Sequence, residues 1–494
     1  MTQAVDEVRT YGGWRRSRGM GLFGLGPIAT AIVLGGVLAV IVSASFSITV
    51  ALIVGAPVAL MVAATLTRWD GVPLSHAIVE RFRWAMATMR GHTSWRGGVI
   101  VEHQRAWQLP GVLAATELVS AEDGLGGTYG VVWDRRSGTL TATLRCASTS
   151  TWLANRSDAD TWVANWGSWL ASLGHLPAIR WVSVTVDTAP DPGSTLADHI
   201  AARIDPAAPA TARRLMDELV RRSPAAAADV DTRVSVTFDP AASPAKPKDL
   251  PAAAAEFGRT LHGLTSALGS CGVTVLGRAS APDLAGIVRT AFDPASRGEV
   301  SRLLWAGDPG QLLTWGDAGP VAAEESWDRY RHDSGISVTW ALHEAPRQAV
   351  NANVLARLLS PGLYPKRVTL QYRPFSAGAA ARALETEVNA SSFRAEVARR
   401  QGRDATARDM ADQERARRAA REEAMGAGVV LVSMYATVTV TDEDDLLTAT
   451  ADVEARAETA KLRLRRMYRS QGAGFAVTLP CGICPPVLSR RWPR

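Results

Sequence analysis

The feature that most constrains this chain is a run of 49 residues, Gly19–Thr67, that contains no charged side chain. A single helix of that length would be about 73 Å long, whereas the hydrocarbon core of a membrane is about 30 Å thick. The run therefore predicts a transmembrane hairpin of two helices, near Pro27–Val42 and Ile48–Leu66, joined by a turn at Ser43–Ser47. A cleaved signal peptide is the weaker interpretation, because its apolar region would be several times shorter.

The placement of arginines predicts how the hairpin is oriented. Four arginines precede it and five follow it closely, whereas the turn carries none: Arg9, Arg15, Arg16 and Arg18, then Arg68, Arg81, Arg83, Arg90 and Arg96. Basic residues flank membrane helices on the cytoplasmic side. We therefore expect a two-pass protein of the cell membrane, with the lipid bilayer as one partner and both termini in the cytoplasm.

Three glycines lie inside the predicted membrane helices, at Gly35, Gly36 and Gly55. Small residues allow the backbones of neighbouring membrane helices to approach closely. These glycines therefore predict tight packing within the hairpin.

Composition excludes some classes of function. The net charge is +6, only four of the 54 basic residues are lysines, and no long basic stripe is interleaved with aromatic residues. Direct nucleic-acid binding is therefore not expected. No lysine follows a glycine, so the phosphate-binding motif of P-loop nucleotide hydrolases is absent: Lys246, Lys248, Lys366 and Lys461.

The four cysteines are too few for a disulfide framework in a chain of this length: Cys146, Cys271, Cys481 and Cys484. Cys481 and Cys484 form a C-x-x-C pattern, which could indicate a redox or a metal site. Two prolines follow at once, so we expect no helix of useful length after the pattern, and a second pair of ligands is missing. We favour partly buried thiols without a chemical role.

Two further clusters allow a functional and a structural interpretation. His332, Asp333, His343 and Glu344 could form a metal or acid–base site, but they flank a predicted strand, and solvated strand ends are the simpler interpretation. Five tryptophans predict a core, with a binding groove as the alternative: Trp152, Trp162, Trp166, Trp169 and Trp181. The sequence thus assigns no catalytic, cofactor-binding or metal-binding residue and predicts no cofactor.

Strand and helix patterns alternate after the hairpin and predict an α/β or α+β fold built from split β-α-β units. We expect a cytoplasmic segment at 1–18, the hairpin at 19–67, one cytoplasmic domain at 68–240 and a second at 252–494. A proline-rich linker, Pro240–Pro251, separates the two domains, and a charged helical insertion lies at 390–425. The segment Glu443–Gly472 is predicted as one helix, and Ala473–Gly482, "AGFAVTLPCG", as the last strand.

The region from about Glu325 to Gly482 resembles the N-terminal, non-motor domain of VirB-type conjugation ATPases. The resemblance depends on "ESWDRYRHDSGISVTWALHEAPRQAV", "VLARLLSPGLYPKRVTLQYRP" and the segment that ends in "FAVTLPCG". The N-terminal hairpin resembles the PrgI-like membrane subunits of conjugative systems. In the ATPase family the motor follows the Leu-Pro-x-Gly strand, so the resemblance implies a motor on a separate polypeptide.

These features together suggest a non-catalytic, membrane-anchored docking component of a type IV-like, conjugative secretion apparatus, which recruits a separate motor ATPase. The arginine- and alanine-rich composition suggests an actinobacterial setting. The predicted contact with the motor is the last strand, at Gly474–Leu479. An EccE-like component of type VII secretion is the main alternative, and a membrane-anchored thiol-redox enzyme is the second.

Overall fold

The fold is described from a computed structural model. The structure describes residues 10–14, 27–69, 72–102, 106–148, 154–190, 200, 203–205, 207–222, 228–307, 312–376, 378–385, 388, 407–424 and 428–491. The chain forms two compact units. We call Arg15–Thr93 with Ala379–Gly426 the helical unit, and Met1–Trp14, Ser94–Gly378 and Ala427–Arg494 the sheet unit.

The helical unit contains the apolar run that opens the chain. Its described elements are α1 (Pro27–Phe46), α2 (Ile48–Leu66), β1 (Arg68–Trp69), β2 (Val72–Pro73), α3 (Leu74–Met89) and α10 (Ala407–Ala424), and residues 379–385 are also helical. The predicted turn at Ser43–Ser47 is too long, because α1 continues to Phe46 and only Ser47 separates the two helices. Ser47 caps α2 by accepting a hydrogen bond from the Thr49 backbone amide.

Tight packing of α1 against α2 was predicted at three glycines, and it occurs at one of them. A Cβ atom on Gly36 would lie 2.9 Å from Cγ1 of Val58, so a larger residue there would force the helices apart. Gly35 and Gly55 have no such neighbour. By length and composition α2 is the one described helix able to cross a membrane, since the apolar segment Thr30–Phe46 of α1 is shorter. A crossing by both helices therefore stays a prediction.

The sheet unit is built around a sheet of thirteen strands. Its strands are β3 (Ser94–Arg96), β4 (Thr116–Glu122), β5 (Thr128–Asp134), β6 (Thr139–Ser148), β7 (Ile179–Pro190), β8 (Ala228–Phe238), β9 (Val273–Arg278), β10 (Ala322–Glu325), β11 (Tyr330–His332), β12 (Gly335–Glu344), β13 (Lys366–Pro374), β14 (Val430–Val440) and β15 (Arg463–Arg466). Its helices are α4 (Arg156–Ser172), α5 (Ala210–Arg222), α6 (Leu250–Leu268), α7 (Ala281–Phe292), α8 (Arg297–Ala306), α9 (Ala356–Leu359), α11 (Leu446–Thr459), α12 (Gln471–Val477) and α13 (Pro485–Arg491). The fold is thus mixed α/β with a large antiparallel sheet.

Two copies of one topology make up most of this sheet. The first repeat runs β6-α4-β7-β8-α6-β9 with spatial order β9-β6-β8-β7, and the second runs β12-α9-β13-β14-α11-β15 with order β15-β12-β14-β13. Each is a split β-α-β unit of ferredoxin-like order. In each repeat the second and third strands are separated by a long insertion, which carries α5 in the first repeat and α10 in the second.

The repeats join edge to edge through β7 and β13, which pair antiparallel from Lys366–Thr188 to Tyr372–Val182. The pair Thr185–Thr369 is the centre of this arrangement, and the two hydroxyl groups lie 2.9 Å apart. An approximate twofold axis through this pair exchanges the repeats. The two repeats are therefore joined by a continuous ladder of main-chain hydrogen bonds.

One face of each repeat is apolar and covered by helices. In the first repeat the core includes Val236, Phe238 and Phe257, and in the second it includes Val438, Trp340 and Val453. The other face carries hydroxyl pairs at equivalent positions: Thr141–Thr237 and Thr143–Ser235, then Ser337–Thr439 and Thr339–Thr437, with oxygens 2.8–3.0 Å apart. Because each buried hydroxyl bonds to its neighbour, the polar face is buried without unpaired groups at these positions.

The C-terminal segment Gln471–Cys484, which we call the cover, lies on this polar face. The Gln471 side chain bonds to the backbone amide and carbonyl of Thr339 in the second repeat. Further along, the carbonyl of Ile483 accepts from Gln371, and a Cβ atom on Gly482 would lie 2.0 Å from Oγ1 of Thr141 in the first repeat. The cover therefore touches both repeats.

Two sequence predictions for this region were wrong. Ala473–Gly482 is not a strand: Gln471–Val477 forms α12, and Phe475, Val477 and Leu479 are buried. The helix predicted over Glu443–Gly472 ends at Thr459 and is followed by β15, which pairs with β12. The proline-rich stretch Pro240–Pro251 lies after β8 and ends in the first turn of α6, within the first repeat.

Candidate functional site

The sheet unit buries a cluster of charged side chains where the two repeats meet. Asp187 on β7 lies directly opposite Arg367 on β13, and next to Arg233 on β8. An Nη2 atom of Arg233 donates to Oδ2 of Asp187 at 3.0 Å, and Arg297 on α8 lies 3.7 Å from the other carboxylate oxygen. We call Asp187, Arg233, Arg297 and Arg367 the ionic seam.

Arg367 is the member of the ionic seam that contacts the cover. It is 4% exposed, its Nε atom donates to Thr478 of the cover at 3.2 Å, and its guanidinium lies 4.8 Å from the centre of the Phe475 ring. Its Nη2 atom has no hydrogen-bond partner among the described residues. Burial lowers the pKa of Arg367 to about 10, so it remains a cation at neutral pH.

Asp187 keeps its negative charge despite burial. Desolvation would raise the pKa of this carboxyl group, but the neighbouring Arg233, Arg367 and Arg297 lower it below its ordinary value. A buried charge is tolerated when it is paired and hydrogen-bonded. The seam therefore joins elements of both repeats rather than presenting a reactive group to solvent.

A surface cleft of about 560 Å³ lies between α9 and α11 in the second repeat. One of the two arginines that line it, Arg456, donates from Nε to Asp452 and from Nη1 to the carbonyl of Ser360 at 3.3 Å. The neighbouring Lys366 donates to the same carbonyl at 2.8 Å, and burial lowers its pKa to about 8. Both cations hold the loop before β13 in place, so the cleft is shaped by structural contacts.

The four cysteines are buried and unpaired. Burial raises the pKa of Cys481 and of Cys484, so both thiols are protonated at neutral pH. Cys146 and Cys271 lie in a different core cluster from Cys481. The short helix α13, which follows Cys484, was not predicted. Within the described part of the chain, no group of three or more potential ligands could hold a metal ion.

The predicted His/Asp/Glu cluster does not converge. His332 is buried, with Nδ1 2.6 Å from the carbonyl of Phe292 and Nε2 2.8 Å from the hydroxyl of Ser337, and burial lowers its pKa to about 3. Asp333 accepts from the amides of Val321 and Ala322. His343 and Glu344 lie at the opposite end of β12. The prediction of solvated strand ends was wrong for His332, which is a neutral core histidine.

Trp166 and Trp169 belong to the core of the first repeat, as the simpler interpretation predicted. Trp169 and Trp181 are each 4% exposed, and the rings of Trp166 and Trp169 stack at 4.9 Å. Trp162 contacts Gly272 at the end of α6. Trp152 lies outside the described residues.

The helical unit shows the opposite distribution of apolar side chains. The exposed fraction is 62% for Leu38 and Ile41 on α1, 70% for Leu52 and 74% for Leu60 on α2. Contiguous exposed apolar surface of this kind marks a contact with membrane or protein. These two helices are therefore the best candidate for a functional surface in the described chain.

Residues 18–75 match the family described as "Domain of unknown function (DUF8461)". The match covers the apolar run and ends at the second residue of α3, and it leaves the sheet unit outside. No curated protein matches the chain.

Sequence reasoning missed the ionic seam. Its signal was present as charged residues in strands of alternating apolar and hydroxyl residues, in "VTVDT", "TRVSV" and "KRVTL". A charge that is buried needs a partner, but the sequence alone does not say which strands become neighbours.

Proposed function

We propose that this chain is a membrane-anchored, non-catalytic docking component of a type IV-like, conjugative secretion apparatus that recruits a separately encoded motor ATPase. The observation that carries the anchoring is the exposed apolar surface of α1 and α2, which would be unfavourable in water and is satisfied in lipid. The recruitment of a motor rests on the resemblance of Glu325–Gly482 to the non-motor domain of conjugation ATPases. Direct nucleic-acid binding is not part of the proposal.

The predicted contact surface needs revision, since Gly474–Leu479 is buried within the cover. A better candidate is the exposed apolar stripe of α5, in the insertion of the first repeat. Leu215 and Leu219 are 62% and 63% exposed, and Met216 is 39% exposed; the other side of the helix carries Arg213, Arg214 and Arg221. An amphipathic helix with no buried residue is suited to docking in a groove of a partner protein.

The docking proposal is tested by crosslinking the full-length, tagged chain in native membranes and identifying the proteins that co-purify. We expect a motor ATPase, and we expect its recovery to fall at least about tenfold in the double variant Leu215→Asp/Leu219→Asp, because charges in a docked apolar stripe oppose burial. Leu276→Asp, at a 63% exposed leucine on β9, is the matched control. Recovery of type VII secretion components in place of an ATPase would support the EccE-like alternative.

The membrane topology is tested separately. We expect a cysteine placed at Ser45 to react with an impermeant thiol reagent in intact cells, and a cysteine placed at Ser266, which is exposed on α6, to react only after lysis. The native cysteines are buried and give a low background. Labelling of Ser266→Cys in intact cells would contradict a cytoplasmic sheet unit.

A further inference from the structure

Helix α3 carries an apolar stripe that the proposed docking function does not use. The stripe consists of Ile78, Val79, Phe82, Met86 and Met89, which are 38–88% exposed, and no residue of the helix is buried. At about 100° per residue these side chains fall within an arc of about 100° on one side of the helix. A stripe of this shape needs an apolar environment along the whole length of the helix.

Basic residues border the stripe on both sides. In the same projection Arg81 lies beyond one edge of the arc, and Arg83 and Arg90 lie beyond the other. The one acidic residue of the helix, Glu80, lies on the far side and pairs with His76 at 3.1 Å. Arginines at the borders of an apolar face extend their charged ends toward anionic headgroups while their stems cover apolar surface.

The chain leads directly from α2 into α3. Helix α2 ends at Leu66, and the backbone amide of Leu74, the first residue of α3, donates to the carbonyl of Thr67 at 2.9 Å. The small β1–β2 ladder lies between the two helices, with Arg68 opposite Pro73. If α2 spans the bilayer, α3 therefore starts at the depth of the headgroups.

We propose that α3 is an interfacial helix, which lies in the headgroup layer of the cytoplasmic leaflet with its apolar stripe against the acyl chains and its arginines at anionic headgroups. This inference rests on the proposed membrane anchoring by α1 and α2. The occupant of the stripe is lipid because the helix begins where an apolar helix ends, and because its basic borders complement the anionic surface of that leaflet. The role of α3 is to fix how the chain leaves the membrane.

The depth of α3 is measured with the full-length chain in nanodiscs that contain phosphatidylglycerol and phosphatidylcholine. Nitroxide labels are placed at Leu60→Cys in α2, Phe82→Cys in the stripe and Thr88→Cys outside it. Collision with oxygen reports lipid, and collision with a water-soluble nickel chelate reports water. We expect oxygen to dominate at Leu60 and Phe82, and nickel to dominate at Thr88.

Two double variants test whether the apolar stripe is what holds α3 at the membrane. Phe82→Asp/Met86→Asp should move a label at Met89 from lipid to water, whereas Leu215→Asp/Leu219→Asp on α5 should leave it in lipid. Nanodiscs of phosphatidylcholine alone should raise the nickel accessibility of the Phe82 label, because the arginines lose their anionic partners.

The possible outcomes distinguish the interfacial helix α3 from the membrane anchoring by α1 and α2 on which it rests. Nickel access at Phe82 with oxygen access at Leu60 would overturn the interfacial helix and leave the membrane anchor intact. Protection of Phe82 from both reagents would also overturn it, because a protein would then cover the stripe. Nickel access at Leu60 would overturn the membrane anchor and the interfacial helix together.

Discussion

The two repeats of the sheet unit share strand order and hydroxyl pairs but fill their cores differently. In the first repeat Leu144 pairs with Val234 across the strands, and at the equivalent place in the second repeat Trp340 pairs with Ala436. One larger residue is thus balanced by one smaller residue, which conserves volume. The alternation of apolar and hydroxyl residues specifies the topology, whereas the choice of core side chain is local to each repeat.

The charged residues show a second difference. The twofold arrangement relates Asp187 and Arg233 of the first repeat to Gln371 and Tyr435 of the second. The first repeat therefore carries a buried ion pair where the second carries neutral groups. Arg367 of the second repeat approaches the same carboxylate, so the seam connects the repeats although it is not itself symmetric.

The cover contacts both repeats. Its removal should therefore have the largest effect on the free energy of unfolding. A chain truncated after Ser470 loses the buried side chains Phe475, Val477, Leu479 and Ile483, and it exposes both sets of hydroxyl pairs. We expect a loss of more than about 5 kcal/mol in the free energy of unfolding. Urea unfolding of the full chain and the truncated chain in detergent measures it.

If truncation after Ser470 left the urea midpoint unchanged, the cover would not bind the repeats together. A truncation after Leu488, which removes only the end of α13, is the control and should change the midpoint little. The result also bears on docking: loss of a partner on deletion of the cover would report unfolding rather than a lost contact surface.

Because the two cores differ, truncating a buried helix side chain to alanine should lower the free energy of unfolding by different amounts in the two repeats. Phe257 of α6 is fully buried and stacks on Phe238 at 4.9 Å, whereas Val453 of α11 is fully buried in the core of the second repeat. We expect Phe257→Ala to lower the free energy of unfolding by about 4 kcal/mol and Val453→Ala by about 2 kcal/mol. Equal losses in urea unfolding would mean that the aromatic stack adds nothing, and Leu276→Ala on the exposed edge strand should have almost no effect.

Much of this architecture could be predicted from sequence, and the failures have physical causes. The hairpin of β5 and β6, helix α4 and strands β12, β13 and β14 follow from local periodicity. The repeats were missed because long insertions hide the period, although "VSVTFD" and "TVTVTD" carry the same alternation in β8 and at the end of β14. Strand pairing is a long-range property, and neither "VTVDT" nor "KRVTL" indicates that β7 and β13 are neighbours.

The cover was misread because an apolar run of this length fits a helix or a strand equally well. Its tertiary surroundings decide the outcome. A Cβ atom on Gly474 would lie 2.8 Å from Cγ2 of Thr339, so the helix approaches β12 more closely than another residue would allow. The side chain of Gln471 accepts from the backbone amide of Thr339 and donates to its carbonyl, which also accepts from the amide of Met467, and none of these interactions is visible in the sequence.

The third effect concerns the ionic seam, which distinguishes the first repeat from the second. In Arg233→Met the carboxylate of Asp187 loses its closest cation while it remains buried. We expect a loss of about 3 kcal/mol in the free energy of unfolding at neutral pH. Tyr435→Met, at the equivalent position of the second repeat, removes no charged partner and is the matched control.

The pH dependence of the Arg233→Met loss separates an electrostatic cause from lost packing. The arginines hold the pKa of Asp187 below its ordinary value in the folded chain, whereas in the unfolded chain the pKa is about 3.9. The stabilisation from this ion pair is therefore fully present above about pH 4 and is lost as the pH falls through the folded-state pKa. The deficit of Arg233→Met relative to the wild type should accordingly be constant near neutral pH and shrink on acidification, whereas any deficit of Tyr435→Met should not change with pH in this way. A deficit of Arg233→Met that persists unchanged into acid would mean that the arginine acts by filling space, and the asymmetry between the repeats would then be one of shape rather than of charge.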